Sequence, residues 1–137
     1  MYEEVATAGQ SVAWLFVAYN LTPEWTYPTQ IGEGVEALNH LLNERRRSPS
    51  EIIIGGDSAG AAITLAILSH LSHPCPEFPN VTIDGKLKAA VLMAPWVSFR
   101  ADWPSYEKNE SKDVISITRL KAWSDAYKDE RLSDNYI

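Results

Sequence analysis

The chain has one cysteine, Cys75, among its 137 residues. A single thiol excludes an internal disulfide framework and any cysteine-rich zinc site. Positive charge is also scarce: 12 basic residues stand against 18 acidic ones, for a net charge of −6. That balance leaves no basic footprint for nucleic acid or for an anionic lipid surface. No apolar run approaches the ~20 residues that a membrane-spanning helix needs, so no span is expected. Met1-Tyr2-Glu3-Glu4 has no basic stretch leading into an apolar one. No signal peptide is therefore visible, and a cytoplasmic location is expected. Internal repeats and low-complexity stretches are missing too.

Hydrophobic residues make up 45% of the chain, enough to bury a core, so one folded domain is expected. Val12 to Tyr19 is a continuous apolar run, rich in aromatic and β-branched residues, and reads as a strand buried on both faces. Asn20-Leu21-Thr22-Pro23-Glu24 ends it as a loop. Ile31, Val35, Leu38, Leu41 and Leu42 then recur on one helical face. Arg45, Arg46 and Arg47 follow, where cations complement the negative pole of a helix. After Ser48-Pro49-Ser50, Glu51 to Gly56 reads as a short strand ending in glycines. Ala59 to Leu71 is almost wholly small or apolar and reads as a helix buried nearly all round. Lys88 to Val97 is a further apolar strand, closed by Pro95. Ile117, Leu120, Trp123 and Tyr127 mark a last helix over Ile117 to Lys128.

Strand and helix thus alternate, which predicts an α/β fold: three or so parallel strands, with crossovers placing helices on both faces. Three strands is few for a parallel sheet, and each open edge invites pairing with another chain. On topology alone, the chain reads as the middle of something larger, or as one member of an oligomer joined through its sheet edges.

Gly56-Asp57-Ser58-Ala59-Gly60 matches Gly-x-Ser-x-Gly. The five residues alone are a weak signal. Between a β-branched strand and a buried helix they have the context of a nucleophile elbow. There a serine sits in a tight strand-to-helix turn, so its hydroxyl leaves the C-terminal edge of the sheet. Gly56 and Gly60 are read as positions where a side chain would collide with the turn or with neighbouring strands. The Ala59 N–H, at the positive end of the helix, is the expected oxyanion donor. Asp57 is expected to set the elbow by hydrogen bonding. A glycine-rich helix start also binds anions. The phosphate loop Gly-x-x-x-x-Gly-Lys-[Ser/Thr] is absent, however, and no lysine lies between Glu51 and Pro76.

These residues resemble the nucleophile motif of the hormone-sensitive-lipase-like esterases, the α/β-hydrolase fold-3 group. Tyr19-Asn20-Leu21-Thr22-Pro23-Glu24 with Tyr27-Pro28 is similar to the segment that precedes the elbow in that group. Pro95-Trp96-Val97-Ser98-Phe99 with Ser111-Lys112-Asp113-Val114 looks like its fungal branch, which includes steryl acetyl hydrolases. One departure is small: Gly60 is followed by Ala61-Ala62, where the group often has Gly-Asn. The resemblance implies that residues 1–137 are the central part of one α/β-hydrolase domain. It implies a carboxylic ester hydrolase acting on small-molecule esters through Ser58, without metal or organic cofactor. It also implies that the group's His-Gly-Gly oxyanion loop lies upstream, and its catalytic Asp and His downstream, of what is seen here. No His-Gly pair occurs in the chain.

A serine needs a base within hydrogen-bond reach. His70 lies twelve residues along the helix from Ser58, roughly 18 Å at 1.5 Å per residue. His73 is farther, and His40 sits midway along the preceding helix. All three read as surface or helix-end histidines, so the chain alone is expected to turn over little or nothing. Asp102 follows the last strand but has no histidine to orient. Trp25, Trp96 and Trp103 are candidates to line an acyl pocket. Asn20, Asn80 and Asn109 each begin an Asn-x-[Ser/Thr] triplet, without the signal peptide that would give those triplets meaning. Two other readings remain open: a non-catalytic subunit that pairs through its sheet, and a small-ligand or phosphate-binding α/β module.

Overall fold

The computed structural model describes residues 11–128. The readings made on Met1–Glu4 lie outside them. Helix α1 spans Thr29–Asn39. Its apolar face is the one the spacing predicts, with Ile31, Val35 and Leu38 buried. The helix does not run straight into the arginines. It passes into a π-helical turn, His40–Glu44, and Arg46 ends the segment at φ 50°. A 3₁₀ turn, Pro49–Glu51, follows, its entry held by the Ser48 N–H donating to the Glu51 carboxylate at 3.0 Å.

Strand β1, Ile53–Asp57, leads through Ser58 into helix α2, Ala59–Ser72. Strand β2, Ala89–Met93, pairs with β1 in parallel, with Ile53 opposite Ala89 and Asp57 opposite Met93. Two further helices complete the described chain: α3, Pro104–Asn109, which the sequence pattern did not suggest, and α4, Ile117–Tyr127. Ser116 caps α4 by accepting from the Arg119 N–H.

The core is the meeting of α1, α2 and the inner face of β1: Ile31, Val35, Leu38, Ile52 and Ile67, with Ile54, Ile63 and Phe78 packed around them. Gly34 allows the two helices to approach. A Cβ there would lie 2.8 Å from Cδ1 of Ile67.

Three expectations change. First, Val12 to Tyr19 is not a strand: it forms no regular structure and is largely exposed, with Phe16 at 84%. A strand of this type needs a ladder on its flanks to satisfy its N–H and C=O groups. The described sheet contains β1 and β2 alone, so it has two strands and not three. Second, among the described residues helices do not cover both faces. Successive strand residues point to opposite sides. Ile53, Val91 and Met93, on the side away from α1 and α2, are 52–57% exposed. Third, α2 is not buried all round. Ala61, Thr64, Ile67 and His70 form one buried stripe, and Ser69 and Ser72 are exposed.

Candidate active site

The junction of β1 and α2 is a tight turn made by one residue. Ser58 has φ 53° and ψ −114°. A side-chain-bearing residue in such a conformation stores on the order of 1–3 kcal/mol and persists only where its surroundings hold it. They do so on both sides. The Ser58 N–H donates to the carbonyl of Met93 at 2.9 Å, at the end of β2. The Ser58 carbonyl accepts from Ala61 and Ala62, both at 3.1 Å, and from Trp96 at 3.3 Å. The exit of β2 thus fixes the turn, and β2 ends there with Ala94 at φ 41°.

The two glycines differ. A Cβ on Gly56 would lie 2.3 Å from the backbone carbon and oxygen of Gly60, so no side chain fits there. A Cβ on Gly60 meets nothing within 4 Å among the described residues, so the collision expected at this position is absent. Its side of the helix start is open space. Asp57 also departs from expectation: its side chain is exposed and makes no hydrogen bond among the described residues. The elbow is set by backbone groups instead. Ala59 is the first residue of α2. Its N–H therefore has no helical acceptor and is available as a donor.

Ser58 and Ala59 line a cleft of about 610 Å³. One wall is α2, from Ala59 along to His70, continued by His73 just past its end. The others carry aromatic rings: Tyr19, Tyr27, Trp96, Phe99, Trp123 and Tyr127. The C-terminal end of α4 closes on Tyr27, whose N–H donates to the Tyr127 carbonyl at 3.0 Å. Burial pushes the Tyr127 hydroxyl up to about 12, and the neighbouring Tyr27 and Tyr19 add to the shift. Of the three tryptophans singled out above, Trp96 lines the cleft, whereas Trp25 and Trp103 do not. Trp123, read from the sequence only as part of a helical stripe, does. Its helix is brought there by a tertiary contact that local spacing does not encode.

None of the three histidines is placed to serve Ser58. His40 bonds through Nδ1 to Glu44 at 2.9 Å, and its Nε2 accepts from Arg45 at 3.2 Å. His70 is a helix-end histidine, in the last turn of α2, and is not on the surface: it is 3% exposed. Its Nδ1 accepts the Cys75 N–H at 3.0 Å, which puts the ring proton on Nε2, where it donates to the Pro79 carbonyl at 3.0 Å. Both nitrogens are therefore engaged, and Phe78 stacks edge-on against the ring. This histidine folds the 73–79 loop back onto the helix end. His73, at the end of α2, is some fifteen residues from Ser58, roughly 22 Å along the axis. Asp102 pairs with Arg100 at 2.8 Å on the exposed surface. The guanidinium holds its carboxyl below the usual carboxylate value. No group of three or more His, Cys, Asp and Glu among the described residues is placed to hold a metal ion, and no described helix is long and apolar enough to cross a membrane.

Residues 3–137 match the profile of a family described as alpha/beta hydrolase fold. The chain is 32% identical to arylacetamide deacetylase of Bos taurus over 120 residues, which is 82% of this chain and 29% of that protein. It is 28% identical to an acetyl-hydrolase of Streptomyces hygroscopicus, over 81% of this chain and 33% of that one. Among solved structures it superposes on an esterase of the bacterial hormone-sensitive lipase family with a TM-score of 0.73 and 26% identity, covering 87% of this chain and 37% of the other. The chain therefore spans about a third of the length of the relatives it matches. With a profile match over almost all its residues, a deacetylase and an acetyl-hydrolase among its relatives and an esterase among the solved structures, the chain belongs to the α/β-hydrolase fold-3 family, the group of hormone-sensitive-lipase-like esterases.

Proposed function

We propose that the whole protein is a carboxylic ester hydrolase and that Ser58, on the Gly56-Asp57-Ser58-Ala59-Gly60 turn, is its nucleophile. One observation carries this reading. Ser58 alone of the described serines sits at positive φ, clamped by backbone bonds at the end of a parallel strand and the start of a helix, on the wall of an aromatic cleft. A strained serine in that position is the mechanical feature of an elbow.

The reaction needs few parts. Ser58 Oγ adds to the ester carbonyl while a base takes its proton. The carbonyl oxygen becomes an oxyanion held by the Ala59 N–H and further donors. The carbon–oxygen bond to the alcohol breaks, the alcohol leaves with the proton, and water then cleaves the acyl-serine by the same route. Metal and organic cofactors have no step in this scheme. Since His40, His70 and His73 are occupied or distant, the base, its orienting carboxylate and a glycine loop are assigned to sequence flanking these 137 residues. Activity is accordingly that of the longer protein, on small-molecule esters, and the chain by itself hydrolyses them at background rate.

The test has two parts. Reading the frame on either side of the 137 codons should reveal His-Gly-Gly upstream and Asp and His downstream. Stop codons on both sides would overturn the proposal. In the longer protein, Ser58→Ala should lower the turnover of 4-nitrophenyl butyrate by about 10³-fold or more, because nucleophile and base act as a unit. Turnover unchanged by that substitution would equally sink it.

A second reading rests on a different observation. Ile53, Val91 and Met93 leave one face of the sheet bare, which suits a non-catalytic subunit that associates through this face. Covalent labelling of Ser58 by an organophosphonate would exclude it.

A further inference from the structure

Asp84-Gly85 is the one place in the sequence where an aspartate or asparagine precedes glycine. The pair lies in the loop that leads into β2. That loop is held on both flanks. Val81 and Leu87 pack against the core, and the Lys88 N–H donates to the carbonyls of Ile52 at 2.9 Å and Pro49 at 3.2 Å. Between these anchors Asp84, Gly85 and Lys86 are exposed. Gly85 turns the chain at φ 95°, a conformation that suits a residue without a side chain. A Cβ placed on it meets nothing within 4 Å among the described residues. Its N–H donates to no described acceptor, and the Asp84 carboxylate has no hydrogen-bond or ion-pair partner among the described residues.

A carboxyl group and the amide nitrogen of the next residue are one ring closure apart. Holding the two groups in one chain makes their reaction far faster than its bimolecular equivalent. Folding prevents it where it ties up the amide or the carboxylate, or crowds the approach. The other four described aspartates are each prevented in one of these ways. Asp57 is exposed, but the next N–H, that of Ser58, is bound to the Met93 carbonyl at 2.9 Å. Asp102 is paired with Arg100 at 2.8 Å and precedes the bulky Trp103. Asp113 accepts from the Ile115 N–H at 3.2 Å and precedes β-branched Val114. Asp125 lies within α4, where the Ala126 N–H is committed to the helix. We infer that Asp84 is a site of spontaneous backbone modification, which passes through a cyclic imide to isoaspartate in the folded chain. The Gly85 nitrogen adds to the Asp84 carboxyl carbon and gives up its proton. Water leaves, and a five-membered imide closes. Water then reopens the ring at either carbonyl. Opening at the backbone carbonyl leaves the chain running through the side chain of residue 84, with a free α-carboxylate. The water lost is regained, so mass and charge are unchanged, and the step takes no oxidant, reductant or second protein. The backbone gains one atom ahead of β2. Because Val81, Leu87 and Lys88 hold the flanks, the exposed turn absorbs that atom and the chain stays folded.

Peptide mapping tests this on the chain as it stands. One sample is held warm at neutral pH for weeks while folded, and another in urea. Electron-transfer fragmentation then tells isoaspartate from aspartate, which share one mass. In the folded sample isoaspartate should accumulate at residue 84 and stay at background at Asp57, Asp102, Asp113 and Asp125. In urea Asp84 should convert at a similar rate, and Asp57 should join it, because the Ser58 N–H is then released. Gly85→Ala, compared in urea so that folding plays no part, should slow the conversion severalfold. Conversion of Asp84 in urea but not in the folded chain would show that the loop protects it, and would overturn the inference. So would a folded chain in which another described aspartate converts first, no conversion in either sample, or a Gly85→Ala rate equal to the parent's. None of these readings involves ester hydrolysis, so their failure leaves the Ser58 proposal standing.

Discussion

Ser58 is held at φ 53° by its neighbours, and its side chain makes that conformation costly. Removing the side chain relieves the strain. Ser58→Gly should therefore melt higher than Ser58→Ala, by on the order of 1 kcal/mol, or a few degrees for a chain of this size. Equal melting temperatures would mean the turn is relaxed. The flanking glycines should part company in the same assay. Gly56→Ala drives a Cβ to 2.3 Å from the backbone of Gly60, and neither side can yield without moving the strand or the helix. A loss of about 3 kcal/mol or more is expected, with the chain failing to accumulate as folded protein. Gly60→Ala enters open space within the first turn of a helix, where alanine is the better former. It should be neutral, or stabilising by up to ~1 kcal/mol. The motif treats the two glycines alike; the backbone around them does not.

The elements show how polar groups join pieces that hydrophobic periodicity describes separately. His70 closes α2 onto the following loop through the Cys75 N–H and the Pro79 carbonyl. In His70→Leu both would lose their partner. We expect destabilisation of about 2–4 kcal/mol and faster hydrogen exchange at the Cys75 amide, with the catalytic reading of Ser58 untouched. Tyr127 joins α4 to the start of α1. Its hydroxyl stays neutral in the folded chain up to about 12, above its ordinary value of 10.0. A folded value above the unfolded one adds stability that is complete below about pH 10 and is lost as pH rises through 12. The amount is at most ~3 kcal/mol. Tyr127→Phe should therefore hold its stability better than the parent between pH 10 and 12. Parallel decline of the two chains in thermal melts across that range would refute the assignment.

Over the whole molecule the striped exposure of apolar side chains dominates. Ile53, Val91 and Met93 on one sheet face, and Trp14 stacked on Phe16 in the preceding segment, face water. Exposed apolar side chains gathered in this way drive association. We expect sedimentation of the chain to give a concentration-dependent mass above 15.3 kDa, and the double substitution Ile53→Lys with Met93→Lys to return it to the monomer. A parent chain that stays monomeric at all concentrations would show that the face needs no cover. The same exposure is expected to leave the isolated chain marginally stable, and its thermal melt should fall no higher than the ~45–65 °C usual for mesophile domains.

Local information carried far in this protein. The helical stripes of α1 and α4, the short β-branched strands and the Gly56–Gly60 turn depend on spacing and on backbone freedom within a few residues. Periodicity and punctuation therefore found them, and the family resemblance followed from the same segments. What failed to be legible depended on partners distant in the chain. Val12 to Tyr19 has the composition of a strand, yet a strand exists only where another offers a ladder. His70 has the look of a helix-end histidine, but its burial comes from a loop that folds back through Pro79. Gln30 is an unremarked polar residue in the sequence. It becomes buried with its amide held in one orientation because Asn20 and Trp25 present two carbonyls to it. Short-range sterics and periodicity write themselves into neighbouring residues, while burial and hydrogen-bond pairing are settled only when remote segments meet.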